Sequence, residues 1–486
     1  MTCRSCAACA LRLLTMLVLA GWLGYADAAA ALPPPVVRAF LEEQIPLSAV
    51  GAYVQEVGAP RPIFSWQPTR AMNPASTMKL LTTFAALELL GPDYRWRTEA
   101  YADGPIADGT LEGNLVLKGY GDPKITIEQF QALVASLRAT GLKSISGDLV
   151  LDRSYFAPAH HDAAAFDAQP LKPYNVGPDA LLVNFKSVRF VFTPNPAGDA
   201  VAVHAEPPLG NVWMHGAPRA EPGECVDWRA SLTAIFLNRG NRADATFGGA
   251  YPIACGERDW YVALLDQADY TLAMFQHYWA DAGGSFAGKV RNARTPSGAK
   301  LLATLQSPPL YDAVRDINKL SNNVMARQLF LTLATTAYPP PATLPHAGAA
   351  VRRWLVARKL SFPELVLDNG SGLSRRERIS AQSMARLLLA ADASKVRSDY
   401  VSSLAVSATD GTVRKRFIDE SLADRGFLKT GSLEGVRAIA GFVLGPSGRR
   451  FVVVCFVNHA AAARAQHALD LLVESAYGAA SGESGR

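Results

Sequence analysis

The chain has 486 residues, 49% of them hydrophobic and 19% charged, with 38 Gly and 31 Pro. That length suits two to four domains with a large core, and near-average Gly and Pro exclude collagen-like, low-complexity and wholly disordered chains. A net charge of +5, from 48 basic and 43 acidic residues spread without runs, excludes the basic stripe that a nucleic-acid partner needs.

The N-terminus carries the marks of a secretory signal. Arg4 and Arg12 make a basic n-region, Leu13 to Gly24 is apolar, and Ala26-Asp27-Ala28 is a small-x-small cleavage site. Residues 1–28 are therefore expected to be removed, leaving a soluble protein exported to the periplasm with no transmembrane anchor. VVRAFLEEQ from Val36 predicts a helix, AVGAYVQEV and PIFSW predict strands, and STMKLLTTFAALELL (76–90) predicts an apolar helix stopped by Gly91-Pro92.

From about 96 to 290 short strands alternate with Gly/Pro turns: GNLVLKG, SGDLVLD, LLVNFKSVRFVFTP and DAVAVHAEPP. Helices return at 263–282 and 311–337. RAIAGFVLG and RRFVVVCFVNH predict a hairpin across Gly445-Pro446-Ser447-Gly448, with a helix at about 461–478 after it. The expected fold class is α/β (α+β), an antiparallel sheet flanked by helices. Residues 29–95 plus 291–480 make the main domain, and 96–290 form a β-rich insertion of two smaller domains, the inner one at about 180–260. Residues 481–486 are expected to be a disordered tail.

Cys3, Cys6 and Cys9 leave with the signal. Of the remaining three, Cys225 and Cys255 lie in one segment and are the favoured disulfide pair, with three free thiols as the alternative. Cys455 reads as a small buried hydrophobe. These three make no C-x-x-C, and His160-His161 lacks ligand spacing, so neither metal nor cofactor is expected.

Three short motifs carry chemistry. Ser76-Thr77-Met78-Lys79 is an S-x-x-K at a helix start, where i, i+3 spacing puts hydroxyl and amine on one face. Serine attacks only after a base takes its proton, and lysine can serve as that base only when partly neutral, which an apolar pocket and a second cation can achieve. A second S-x-x-K, Ser297 to Lys300, has a poorer helix signal. Ser321-Asn322-Asn323 precedes the helix VMARQLFLTLA and reads either as a proton relay with a carbonyl holder or as plain N-capping. Lys429-Thr430-Gly431-Ser432 sits on a strand, where lysine and threonine suit a carboxylate and Gly431 permits close approach of another backbone.

S-x-x-K, S-x-N and K-T-G in that order form the signature of β-lactamases and penicillin-binding proteins. The chain resembles the penicillin-binding proteins of the D-alanyl-D-alanine carboxypeptidase/endopeptidase family (peptidase family S13). The resemblance extends through NPASTMKLLTTFAALELLG, GNLVLKGYGDPKIT, INKLSNNVMARQL, LDNGSGLSRRERIS and LKTGSLEGVRAIAGFV, and the separation of 245 positions from Ser76 to Ser321 matches the insertion typical of that family.

The resemblance implies a transpeptidase-like domain acting on peptidoglycan peptides that end in D-Ala-D-Ala, with β-lactams as covalent inhibitors. Ser76 is implied as nucleophile, Lys79 as base, and Ser321 and Asn323 as relay and substrate holder. Lys429 and Thr430 would take the terminal carboxylate, and the backbone N–H groups of Ser76 and Ser432 would form the oxyanion hole. It also implies that an inserted-region Asp, matched to Asp152, joins Arg375 and Glu434 around the substrate's diamino-acid side chain. Asn322 replaces the usual Asp, and Glu434 stands where an amide is commoner. A β-lactamase and a catalytically dead peptidoglycan-binding or β-lactam-sensing protein are the alternatives. The long insertion argues against the first, and the intact motifs argue against the second.

Overall fold

The structure is a computed structural model that describes residues 31–157, 161–418 and 421–481. The expected signal peptide lies outside the described residues, as does the expected tail apart from Ser481, which ends a helix.

A six-stranded antiparallel sheet runs in the order Ala405–Val406, Gly426–Leu433, Val436–Leu444, Arg450–Asn458, Val50–Glu56, Phe64–Trp66. The N-terminal strand therefore pairs with the C-terminal one, Ala52 opposite Cys455. The unbroken apolar run at 451–457 follows from burial on both faces. Val452, Val454 and Phe456 point into one core. Phe451, Val453, Cys455 and Val457 point into the other. Helices Lys79–Leu90, Asn323–Ala334, Leu344–Ala357 and Ala381–Asp392 cover the first face. Helices Pro34–Glu42 and Gln466–Ser481 cover the second. This bears out the expected fold class. The helix Lys79–Leu90 is apolar on every side because it is central, with every residue from Lys79 to Leu87 buried.

Among the described residues, 97–306 form four further sheets. The largest has the order Val290–Asn292, Leu149–Asp152, Asn114–Gly119, Arg97–Asp103, Lys300–Gln306. The boundary expected at 291 thus falls too early, since Lys300–Gln306 returns along Arg97–Asp103 as its antiparallel partner. The inserted segment leaves and re-enters through one neck, where Trp96 and Ser307 exchange backbone and side-chain bonds at 2.9 Å and Leu310 N–H donates to Tyr94 O at 2.7 Å. Ser297 falls in the turn before Lys300–Gln306, not at a helix start.

Cys225 and Cys255 are disulfide-bonded. Cys455 is free and buried, and burial pushes its thiol up to about 12.

Candidate active site

The nucleophile turn is built from Asn73 onward. Asn73 Oδ1 accepts from Ala75 N–H at 2.9 Å, and Asn73 Nδ2 donates to Ser374 O at 2.8 Å. Asn458, at the end of a central strand, accepts from Asn73 N–H at 2.8 Å and donates to its carbonyl at 3.0 Å. Ala75 is thereby held at φ +46°, a conformation unusual for a residue with a side chain. A 3-10 turn, Ala75–Met78, then feeds the helix Lys79–Leu90. Gly372 and Gly431 let two backbones press against this turn: an added Cβ on Gly372 would lie 2.7 Å from Ser76 N, and one on Gly431 would lie 2.8 Å from Pro74 O. The close approach expected at Gly431 is therefore made by the chain's own nucleophile turn.

Lys79 Nζ lies 2.9 Å from Ser76 Oγ, 2.6 Å from Asn323 Oδ1 and 2.5 Å from Ser371 O. It is fully buried. Burial lowers its pKa well below the ordinary lysine range, and the neighbouring Lys429 and Arg327 push the same way against Glu377. Glu377 is itself buried, accepting from the N–H groups of Asn369 (3.1 Å), Gly370 (2.8 Å) and Gly372 (2.9 Å). It thereby shapes the loop that presents Ser371 O to Lys79. Burial raises the Glu377 pKa, and those N–H bonds work against the rise.

The S-x-N triplet divides its labour. Asn322 caps the helix Asn323–Ala334, its side chain accepting from Met325 N–H at 3.0 Å. Asn323, the first helical residue, reaches Lys79, while Ser321 at φ +59° turns towards Lys429. Both sequence readings of the triplet are realised, by different residues. Lys429 Nζ donates to Ser321 Oγ at 2.9 Å and to Thr430 O at 2.8 Å. Burial lowers its pKa to about 7. Thr430 Oγ1 lies 2.8 Å from Thr412 Oγ1.

A cleft of about 1050 Å³ opens over these groups, lined by Ser76, Ser321, Asn323, Thr412, Thr430 and Ser432 and continuing to Phe166, Asp167, Tyr174 and Glu434. At that far end Arg375 donates to Glu434 O at 2.8 Å and lies 3.4 Å from Glu434 Oε2. Its guanidinium sits 4.9 Å from the centre of the Phe166 ring. The Glu434 side chain is 92% exposed. Asp152 is elsewhere. It is buried, accepts from Ser154 and Thr295, and lies 3.8 Å from Lys118. Two inserted-region carboxylates line the cleft: Glu206, which accepts from Arg189 at 2.7 Å, and Asp167, held by Tyr174 Oη at 2.8 Å and Asn175 Nδ2 at 2.7 Å. Burial works to raise the Asp167 pKa, and these bonds outweigh it, leaving it lowered and the group ionised.

The D-Ala-D-Ala carboxypeptidase 3 (S13) family profile matches residues 36–476. This chain belongs to that family. It is 28% identical to the D-alanyl-D-alanine carboxypeptidase DacB of Haemophilus influenzae over 420 residues, covering 85% of each chain. It is 27% identical to the D-alanyl-D-alanine carboxypeptidase of Actinomadura sp. strain R39, covering 92% of this chain and 85% of that one. The crystal structure of penicillin binding protein 4 (dacB) from Haemophilus influenzae superimposes with a TM-score of 0.75 at 25% identity, over 91% of this chain and 99% of that one. The same H. influenzae protein has been solved with a β-lactam bound.

Within this S13 chain, sequence reasoning missed Glu377, Ser371, Thr412 and Asp167. Glu377 lies in LSRRERIS, one of the segments that carry the family likeness, but its role depends on N–H groups that converge only after folding. Asp167 lay one residue after Phe166 in a stretch without strand or helix pattern, whereas Asp152 sat in the conspicuous strand ending LVLD.

Proposed function

We propose that this chain is a serine-type D-Ala-D-Ala carboxypeptidase acting on peptidoglycan stem peptides through an acyl-enzyme on Ser76. The observation that carries the reading is the fully buried Lys79 amine 2.9 Å from Ser76 Oγ, with Lys429 lowering its proton affinity further. A neutral Lys79 takes the Ser76 proton as Oγ attacks the carbonyl of the penultimate D-alanine. The backbone N–H groups of Ser76 and Ser432 receive the oxyanion, an arrangement in which one donor contributes about 2.7–4 kcal/mol. Asn323 holds the substrate amide, and Lys429 with Thr430 takes the terminal carboxylate. A protonated Ser321–Lys429 pair gives a proton to the leaving D-alanine nitrogen; water then attacks the ester, passing a proton back to that pair, while Lys79 returns its proton to the departing Ser76 Oγ.

At the far end of the cleft, the carboxylates of Asp167 and Glu434, with Arg375 behind them, accept an amine-bearing side chain of the stem peptide. The cleft's length favours a second activity on the same bond, D,D-endopeptidase cleavage of cross-linked peptides. Residues 1–28 direct export to the periplasm.

The test is release of D-alanine from an N-acylated peptide ending in D-Ala-D-Ala. The full-length protein releases it, and Ser76→Ala, folded by circular dichroism, does not. Release by Ser76→Ala at the native rate contradicts the reading.

A further inference from the structure

The cleft wall from Asp167 to Val176 contains no strand and only one short 3-10 turn, Pro173–Asn175. No ladder of backbone bonds fixes its position against the catalytic helix, so side chains must. Arg327 lies one turn beyond Asn323 on the helix Asn323–Ala334 and is only 4% exposed. Its Nη1 donates to Val176 O at 3.1 Å and to Tyr174 O at 3.3 Å. The next residue, Gln328, accepts from Asp179 N–H at 2.8 Å and donates to Asp179 O at 2.7 Å. Tyr174 and Asn175 in turn hold the Asp167 carboxylate. One continuous set of bonds thus runs from the helix that presents Asn323 to the carboxylate at the far end of the cleft. A buried guanidinium spent on two carbonyls is a costly way to fasten a loop unless its position matters.

We propose that Arg327 is a positioning residue that keeps the Asp167 wall in register with Ser76 and so sets the preference for substrates carrying a side-chain amine. This rests on the carboxypeptidase reading and deepens it. Small β-lactams, which do not extend to Asp167, do not need the clamp.

The experiment compares two peptides, Nα-acetyl-lysyl-D-Ala-D-Ala and its norleucine counterpart, on full-length protein. The variants are Arg327→Met and Arg327→Lys, whose ammonium ends one bond short of the guanidinium nitrogen while keeping the positive charge. Wild type prefers the lysine peptide. Both variants raise KM for that peptide about tenfold, as expected for a displaced subsite. Arg327→Lys leaves kcat little changed, whereas Arg327→Met, which removes a cation that lowers the Lys79 pKa, also lowers kcat on both peptides alike. The norleucine KM stays within about twofold, and Arg327→Lys keeps the wild-type rate of penicillin acylation. Equal rises in KM on both peptides, or no rise on either, overturn the inference. D-alanine release without any lysine preference in wild type overturns it too, while leaving the carboxypeptidase reading standing. Should Arg327→Met fail to fold, as judged by penicillin labelling, Arg327→Lys decides.

Discussion

Lys429 Nζ and Ser321 Oγ are 2.9 Å apart, so the two buried lysines of this site engage two different serines, Lys79 with Ser76 and Lys429 with Ser321. Lys429 lowers the proton affinity of Lys79, and burial lowers that of Lys429. The first expectation follows from Lys79. A guanidinium stays charged at any accessible pH and cannot accept the Ser76 proton. Lys79→Arg should slow benzylpenicillin acylation by about 10³-fold or more, read from stopped-flow or gel labelling. Acylation at near-native rate would remove Lys79 as the base.

The second concerns pH. Acylation should rise with pH as Lys79 loses its proton. Lys429→Met removes a neighbouring cation, so the Lys79 pKa moves back up and the acid limb of acylation shifts to higher pH. Lys429 has its own effect on stability. Its pKa falls from about 10.4 in the unfolded chain to about 7 in the fold. Between those values the unfolded state binds the extra proton, so stability rises with pH from about 7 to 10.4 and is flat below 7. Lys429→Met should unfold at a higher temperature than wild type at pH 6.5, and the gap should narrow by pH 9.5. The upper bound on the gain is on the order of 5 kcal/mol.

Glu377 supplies the opposite shift. Its carboxylate accepts N–H groups on both oxygens, and Gln would aim a donor at one of them. Glu377→Gln should cost about 2 kcal/mol of stability in urea titration. Because Glu377 raises the Lys79 pKa, its loss should move the acid limb of acylation to lower pH. Shifts of the same sign in Glu377→Gln and Lys429→Met would contradict the electrostatic account.

Gly372 sits at φ +79°, and a Cβ there would collide with the Ala75 carbonyl and the Ser76 nitrogen. Gly372→Ala should therefore abolish penicillin labelling while a variant at an open position, Gly348→Ala, labels normally.

Much of this was legible in the sequence because it is local. The apolar run 451–457 betrayed a strand buried on both faces, and the i, i+3 spacing of Ser76 and Lys79 survived the replacement of the first helical turn by a 3-10 turn. Ser321, Asn323 and Lys429 were found by order and context along the chain. What stayed hidden depends on groups that meet only in space. Glu377 works through the N–H groups of four loop residues, Thr412, on a 3-10 turn, through the hydroxyl of Thr430 on a strand, and Asp167 through a wall with no periodic pattern. The return strand Lys300–Gln306 was missed because pairing with Arg97–Asp103 spans two hundred residues and leaves no mark in either segment.

The most direct measurement is peptide mapping by mass spectrometry after benzylpenicillin treatment at pH 8. The account predicts a single penicilloyl adduct on the peptide containing Ser76, persisting for minutes or longer. An adduct on Ser297, or penicillin turned over with no adduct at all, would contradict it.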